Sequence, residues 1–137
     1  MSLAAELFKI GSELFSALLK AEKSKRYEVS EHFGNLARTF KMYPSAHRSK
    51  DKDQVTFLVG KTHGLIEALS GSGVFDTVLG KEKGPAFLTS MGKILSLKDV
   101  MAKGKYTEAE VAYAEILAIA GYFEGYSESL RAQAGKQ

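Results

Sequence analysis

The sequence predicts an all-α fold, an irregular bundle of about five helices whose first and last helices are both long. Apolar residues recur at helical spacing through most of the chain, and only two of its 137 residues are proline. Ala, Leu, Lys and Glu, which favour helices, are abundant. The one strand-like stretch, residues 54–60, has no second strand with which it can pair. We expect a single helical domain over residues 1–137, since a chain of this length can bury its own core.

The first 42 residues carry the longest apolar pattern. It consists of two stripes at helical spacing, Leu3, Leu7, Ile10, Leu14 and Leu18, then Val29, Phe33, Leu36 and Phe40. Both stripes lie on roughly the same side of a helix, and residues 20–28 between them are polar without Gly or Pro. Either one helix spans residues 3–42, or two helices meet at a bend near residue 24; the single helix is favoured. An uncapped helix of that length usually needs a coiled coil or a partner chain to cover it, so the pattern predicts self-association.

Pro44 ends this unit, because the residue before a proline avoids the helical conformation. Residues 44–53 are polar and charged, which predicts a loop, and Asp53 is a candidate cap for the next element. Residues 54–69 begin with strand-like alternation but continue at helical spacing, which favours a helix.

Glycine-rich segments divide the middle of the chain. SGSG at residues 70–73 and GKEKG at residues 80–84 predict two breaks around a short helical turn, residues 74–79. Pro85 suits the first position of the helix that follows. Residues 104–106 predict a tight link, which makes the last two helices antiparallel neighbours.

The most clearly helical stretch runs from Thr107 to Leu130. Thr107 and Glu110 form a capping-box pattern directly before an apolar run. Large apolar residues lie on one side of this helix and small residues on the nearly opposite side. A row of Ala and Gly lets another backbone approach closely, so we expect the helix to be covered on two sides. The large side comprises Ala112, Ile116, Ile119, Phe123 and Leu130, and the small side comprises Ala114, Ala118, Gly121 and Gly125.

The stretch AKGKYTEAEVAYAEIL, residues 102–117, resembles the middle of a tetratricopeptide repeat. That motif has its turn glycine and its packing residues at the positions of Gly104, Tyr106, Ala109, Tyr113 and Leu117. The resemblance covers under a fifth of the chain, and no second copy occurs at the period of the repeat. It implies a tight helical hairpin rather than a stack of repeats.

The net charge of +3 and the sequence pI near 9.0 allow an acidic partner without requiring one. Acidic residues are interspersed among the basic ones, so solvated loops are favoured over a nucleic-acid footprint, which concentrates unopposed charge on one face. The candidates for contact with an acidic partner are Lys20, Lys23, Lys25, Arg26, Arg48, Lys50 and Lys52.

The sequence contains no catalytic constellation, and we expect no enzyme activity, no cofactor and no metal site. GKT at residues 60–62 matches the end of a phosphate-binding loop, but Val55 stands where the motif requires its first glycine. Among the three histidines, His63 with Glu67 one helical turn later comes nearest to a metal-ligand pattern, but a single pair of this kind is common by accident, and there is no cysteine. A ligand-binding or catalytic bundle would need a closed pocket with His63, Tyr113 or Glu115 turned inward.

These observations favour a cytoplasmic, non-enzymatic protein–protein interaction or assembly module that self-associates. Nucleic-acid binding through the lysine-rich loops is the alternative, and the partner and oligomer number stay open. Acidic and basic residues interrupt the first apolar stretch, so no signal peptide is expected, and no segment has the length and purity of a membrane span. The candidate self-association residues are Leu7, Ile10, Leu14, Phe33, Phe40, Ala118, Gly121 and Gly125.

Overall fold

A computed structural model of the chain describes residues 3–93 and 106–135, with the side chains of the last helix described from 109 to 132. Within these residues the fold is all-α and contains no strand, which confirms the predicted fold class. The helices are α1 (Leu3–Leu18), α2 (Lys23–Lys41), α3 (Tyr43–Arg48), α4 (Lys52–Ser72), α5 (Val74–Leu79), α6 (Lys83–Gly92) and α7 (Tyr106–Gly135).

Helices α2 and α7 form the most extensive pair, and the other helices surround them. Helix α1 contacts α7 on one side and α5 and α6 on the other, while α4 closes the bundle against α2, α3 and α6. The centre is aromatic: the Phe33 ring of α2 stacks on the Phe123 ring of α7, with centroids 4.9 Å apart and planes 3° apart. Phe75 of α5 and Phe87 of α6 pack around this pair.

The N-terminal pattern forms two helices rather than the favoured single one. Helix α1 ends at Leu18 and α2 begins at Lys23, so the chain turns at residues 19–22. The physical reason is burial. Two helices joined by a turn bring both apolar stripes into one core, where Leu14 and Phe33 are each fully buried. The prediction of self-association from a long uncapped helix therefore loses its basis.

The segment after Pro44 is also more helical than the sequence predicts. Residues 43–48 form α3 with Pro44 in its first turn, a position where the missing N–H costs nothing. Tyr43 is buried and holds this short helix against the core. Asp51, not Asp53, caps α4, because its carboxylate accepts a hydrogen bond of 3.0 Å from the Gln54 N–H.

The other elements follow the sequence closely. The predicted helix at residues 54–69 lies inside α4, and the short helix at residues 74–79 is α5. The first break is a left-handed glycine, Gly73, with φ 67°. Helix α6 starts two residues before Pro85. The predicted link at residues 104–106 falls largely outside the described residues.

Helix α7 contains the whole of the predicted C-terminal helix, and its 30 residues make it the longest of the described helices. The large apolar side faces the core, as expected: Ala112, Ile116, Ile119, Phe123 and Leu130 are all buried. The side chain of Thr107 lies outside the described residues, so the capping box stays a prediction. The small-residue side is exposed, and no described part of the chain covers it, contrary to the expectation that both sides would be covered.

Candidate functional site

The apolar residues proposed for self-association divide into two groups. Leu7, Leu14, Phe33 and Phe40 are fully buried in the core of the single chain, and Ile10 is half-buried against it. The four fully buried side chains hold the fold together and cannot line a docking surface while it stays folded. This corrects their assignment as contact candidates.

The small-residue face of α7, made by Ala114, Ala118, Gly121 and Gly125, is exposed along its whole length. A Cβ added at Gly121 or at Gly125 would meet no atom within 4 Å. Neither residue has a positive φ. No neighbouring backbone in the described chain therefore requires glycine at these positions.

Two larger apolar residues flank this face near its N-terminal end. Val111 is 67% exposed on one flank and Leu117 is 41% exposed on the other, each about 60° round the helix from the centre of the face. No sequence pattern singles out either one as a contact, because their exposure depends on how α7 is rotated against α2. The result is a strip of small residues bordered by aliphatic side chains.

Helix α1 packs beside the small-residue face and not over it. Phe8 stacks on Tyr122 at a centroid distance of 4.3 Å, and Phe15 stacks on Tyr126 at 4.7 Å. The Glu115 carboxylate accepts a hydrogen bond of 2.9 Å from the Ala4 N–H, which caps the start of α1. Glu115 is thus a structural group at the α1–α7 contact.

The Tyr122 hydroxyl lies in a crowded hydrogen-bonded position. It donates to the Phe8 carbonyl over 2.9 Å and shares a hydrogen bond of 2.6 Å with the Tyr126 hydroxyl. The ring fills space above Gly11, where a Cβ would lie 2.8 Å from ring carbon Cε1. Burial, together with the bond to Tyr126, raises the pKa of Tyr122 well above the usual value of 10.0.

This shift predicts an alkaline loss of stability. The folded state favours the neutral phenol more than the unfolded state does. The stability that neutral Tyr122 contributes is therefore fully present below a pH of about 10, and it is lost as the pH rises further. We expect the urea midpoint of the native chain to fall more between pH ~9 and pH ~11 than that of Tyr122→Phe. Tyr27→Phe, at a side chain that is 55% exposed, is the control and should follow the native chain. An equal fall in all three proteins would contradict the prediction.

The first basic cluster surrounds the turn between α1 and α2. Lys20 and Lys23 are exposed there, and Lys25 is half-buried. Arg26 is only 4% exposed, and its Nη1 donates to the Ala21 carbonyl over 2.7 Å. Arg26 therefore stabilises the turn between α1 and α2 through this hydrogen bond. Because it is buried, its assignment as a contact for an acidic partner is corrected.

The second basic cluster is brought to the start of α7. Arg48, Lys50 and Lys52 line a cleft of about 720 Å³ between α3, the start of α4 and α7. Val55, Ala109 and Tyr113 also line it. We call this feature the cationic cleft. The sequence could not indicate it, because residues 48–55 and 109–113 are far apart along the chain.

Arg48 is the best-fixed cation of the cleft. Its Nη2 lies 3.1 Å from Oε2 of Glu110, and its guanidinium carbon lies 4.5 Å from the centre of the Tyr113 ring. The carboxylate and the ring together restrict the side chain. Tyr113, one of three residues that the sequence suggested for an inward-facing pocket, thus lies at a cleft.

Several other cations have carboxylate neighbours on a different helix. In the described ranges, these pairs are Lys41–Glu124, Lys83–Glu13, Lys93–Glu6 and Arg131–Glu31. Hydrogen bonds from Ser90 and Lys93 hold the pKa of Glu6 below its usual value. The pairs reduce the unopposed positive charge that a nucleic acid would meet.

The GKT sequence at residues 60–62 lies within α4, where its backbone N–H groups belong to the helix. The Thr62 hydroxyl donates to the Leu58 carbonyl over 2.8 Å and lies 2.7 Å from the Tyr43 hydroxyl. This threonine therefore has a structural role in the core. Over the residues that the structure describes, no three His, Asp or Glu side chains are grouped so that they could hold a metal ion.

Comparisons with protein-family models, curated proteins and solved structures find no match to this chain. In the part of the chain described above, none of the helices combines the length and the apolar character needed to cross a membrane.

Proposed function

We propose that this chain is a non-enzymatic interaction module that self-associates through the small-residue face of α7. The observation that carries the proposal is one continuous exposed face of α7, which bears Ala114, Ala118, Gly121 and Gly125 and is bordered by exposed aliphatic side chains. A glycine inside a helix lowers helix stability by about 1 kcal/mol relative to alanine, and no contact in the described fold offsets that loss at Gly121 or Gly125. Close approach of a second helix supplies a physical reason for both residues.

The face is complementary to itself in an antiparallel arrangement. A two-fold axis through Gly121 places Leu117 of each copy opposite Gly125 of the other, a large side chain over a small one. It also places Glu128 opposite Ala114, so the carboxylates of the two copies stay apart. A parallel pair would place Glu128 beside its own copy, which is unfavourable. The proposed dimer is therefore antiparallel.

The test is the concentration dependence of mass, measured by sedimentation velocity. We expect the native chain to pass from monomer to dimer between about 5 and 500 µM, and Gly125→Gln to raise the dissociation constant at least about tenfold. Glutamine blocks close approach, and it favours a helix more than glycine does, so the folded monomer gains stability from the substitution.

Gly64→Gln is the matched control. Gly64 is an exposed helical glycine of α4 that also has nothing within 4 Å of an added Cβ. It should raise monomer stability in the same way and leave dimerisation unchanged. A native chain that stays monomeric at the highest concentration, or equal effects of the two substitutions, would reject the α7 dimer.

Nucleic-acid binding through the lysine-rich loops has weaker support. The two clusters lie at separate places, the α1–α2 turn and the cationic cleft, and Arg26 is buried. Five basic side chains of the described residues lie within 3.2 Å of a carboxylate. A phosphate backbone needs a continuous row of unopposed cations, and this distribution does not provide one.

A further inference from the structure

We propose that the cationic cleft binds an anionic amphiphile, a molecule with one negatively charged head and an apolar body. The site shares no residue with the small-residue face of α7. Self-association and amphiphile binding can therefore fail independently of each other.

The floor of the cleft is apolar and the size is that of a ligand site. Ala46, Ala109 and Tyr113 are 4%, 8% and 6% exposed, and they form the floor together with the half-buried Val55. A volume of about 720 Å³ falls within the range of clefts that hold small organic ligands. A bare inorganic anion would leave most of this apolar surface in contact with water.

The rim of the cleft is positive. Lys50 and Lys52 are exposed, and neither forms an ion pair with a described carboxylate. Arg48 is paired with Glu110, and Asp51 is engaged with the Gln54 N–H at the start of α4. Among the described residues, no carboxylate pairs with these two ammonium groups, so both can contact a negatively charged head group, and Arg48 is held beside them.

The backbone of Lys50 adds a second, independent observation. Its φ is 58°, and it is the one non-glycine residue with a positive φ in the described ranges. It follows the C-cap of α3, where the Asp51 N–H reaches the Ala46 carbonyl over 3.1 Å, and glycine is the usual residue in this position. A lysine is less favourable than glycine in this left-handed conformation. Its ammonium group at the rim gives a reason for a lysine in this position.

The charge pattern favours a small amphiphile over a nucleic acid. Three cations and one carboxylate, Glu110, line an open cleft with an apolar floor, and Asp51 and Asp53 interrupt the basic row along the chain. Head recognition by charge and body recognition by the floor should both contribute. Removing either part of the ligand should weaken binding by about tenfold, because each accounts for more than about 1 kcal/mol.

Isothermal titration with dodecanoate, kept below its critical micelle concentration, tests the site in the full chain. We expect saturable one-to-one binding, with acetate and dodecanol each binding at least about tenfold more weakly at equal concentration. Lys50→Gly should lower the affinity for dodecanoate about five- to tenfold while raising thermal stability, because glycine accepts the positive φ. This combination separates loss of binding from loss of fold.

Lys81→Gln is the matched control, since it removes one exposed positive charge in the loop between α5 and α6, away from the cleft. It should bind dodecanoate as the native chain does. Absence of saturable binding, or equal losses in Lys50→Gly and Lys81→Gln, would overturn the proposal.

Co-sedimentation with phosphatidylglycerol vesicles distinguishes a membrane lipid from a free amphiphile as the source of the charged head group. If the native chain binds the vesicles and Lys50→Gly binds them more weakly, the ligand is a lipid in a membrane surface. If the chain binds dodecanoate but not the vesicles, the ligand is a free amphiphile.

Discussion

Phe33→Ala is expected to lower the free energy of unfolding by about 3–5 kcal/mol, the largest effect of any substitution considered for this chain. Phe33 is fully buried and lies where four helices meet. Its ring stacks on Phe123 of α7 and approaches Phe75 of α5 and Phe87 of α6, with centroids 6.0 and 6.3 Å away. Alanine would remove all of these contacts and leave a cavity that no single helix can close by a small shift.

Urea unfolding followed by circular dichroism measures this loss. Domains of this size are stable by about 5–15 kcal/mol, so a loss of this size leaves the variant close to its unfolding transition even without urea. Phe33→Leu keeps much of the volume, and its smaller loss can be measured on a folded protein. Phe57→Ala is the control. Phe57 is 60% exposed, and its removal should change stability by less than about 0.5 kcal/mol. Comparable losses at positions 33 and 57 would show that the core is not built as described.

Gly84→Ala and Gly64→Ala are expected to change stability in opposite directions. At Gly84 an added Cβ would lie 2.6 Å from Oδ1 of Asp76, 2.9 Å from its backbone nitrogen and 2.9 Å from the carbonyl carbon of Phe75. Two of these atoms belong to the backbone of α5, so α5 and α6 would have to move apart. We expect a loss of about 1–3 kcal/mol.

The same change at Gly64 meets open space inside α4 and should add about 0.5–1 kcal/mol, because alanine restricts the unfolded chain and favours the helix. Urea midpoints of the two variants, compared with that of the native chain, show whether each substitution raises or lowers the stability. A gain at Gly84 would mean that α5 and α6 are not in close contact. A loss at Gly64 would mean that another part of the molecule covers that face of α4.

The small-residue face of α7 and the cationic cleft illustrate two different limits of sequence interpretation. For the face, the sequence indicated the residues and left open what covers them. The structure shows that α1 occupies the neighbouring side, through Tyr122 and Tyr126, and that the described residues leave the face exposed. For the cleft, the sequence indicated Arg48, Lys50 and Lys52 as loop cations and as candidates for contact with an acidic partner, but not as parts of a cleft. Their arrangement around Tyr113 depends on a contact between distant segments.

Local rules of helix formation account for what the sequence determined by itself. Helical spacing of apolar residues, together with few prolines, fixes the all-α class, the α4 and α7 segments and the buried side of α7, because each depends on neighbours three or four residues away. Tertiary structure decided whether residues 3–42 form one helix or two, since a turn at residues 19–22 is stabilised only by burying both stripes in a common core. It also decided which glycines are crowded, which cations are buried and which apolar side chains remain exposed. These properties depend on how helices distant in sequence pack against one another, and no local pattern encodes that packing.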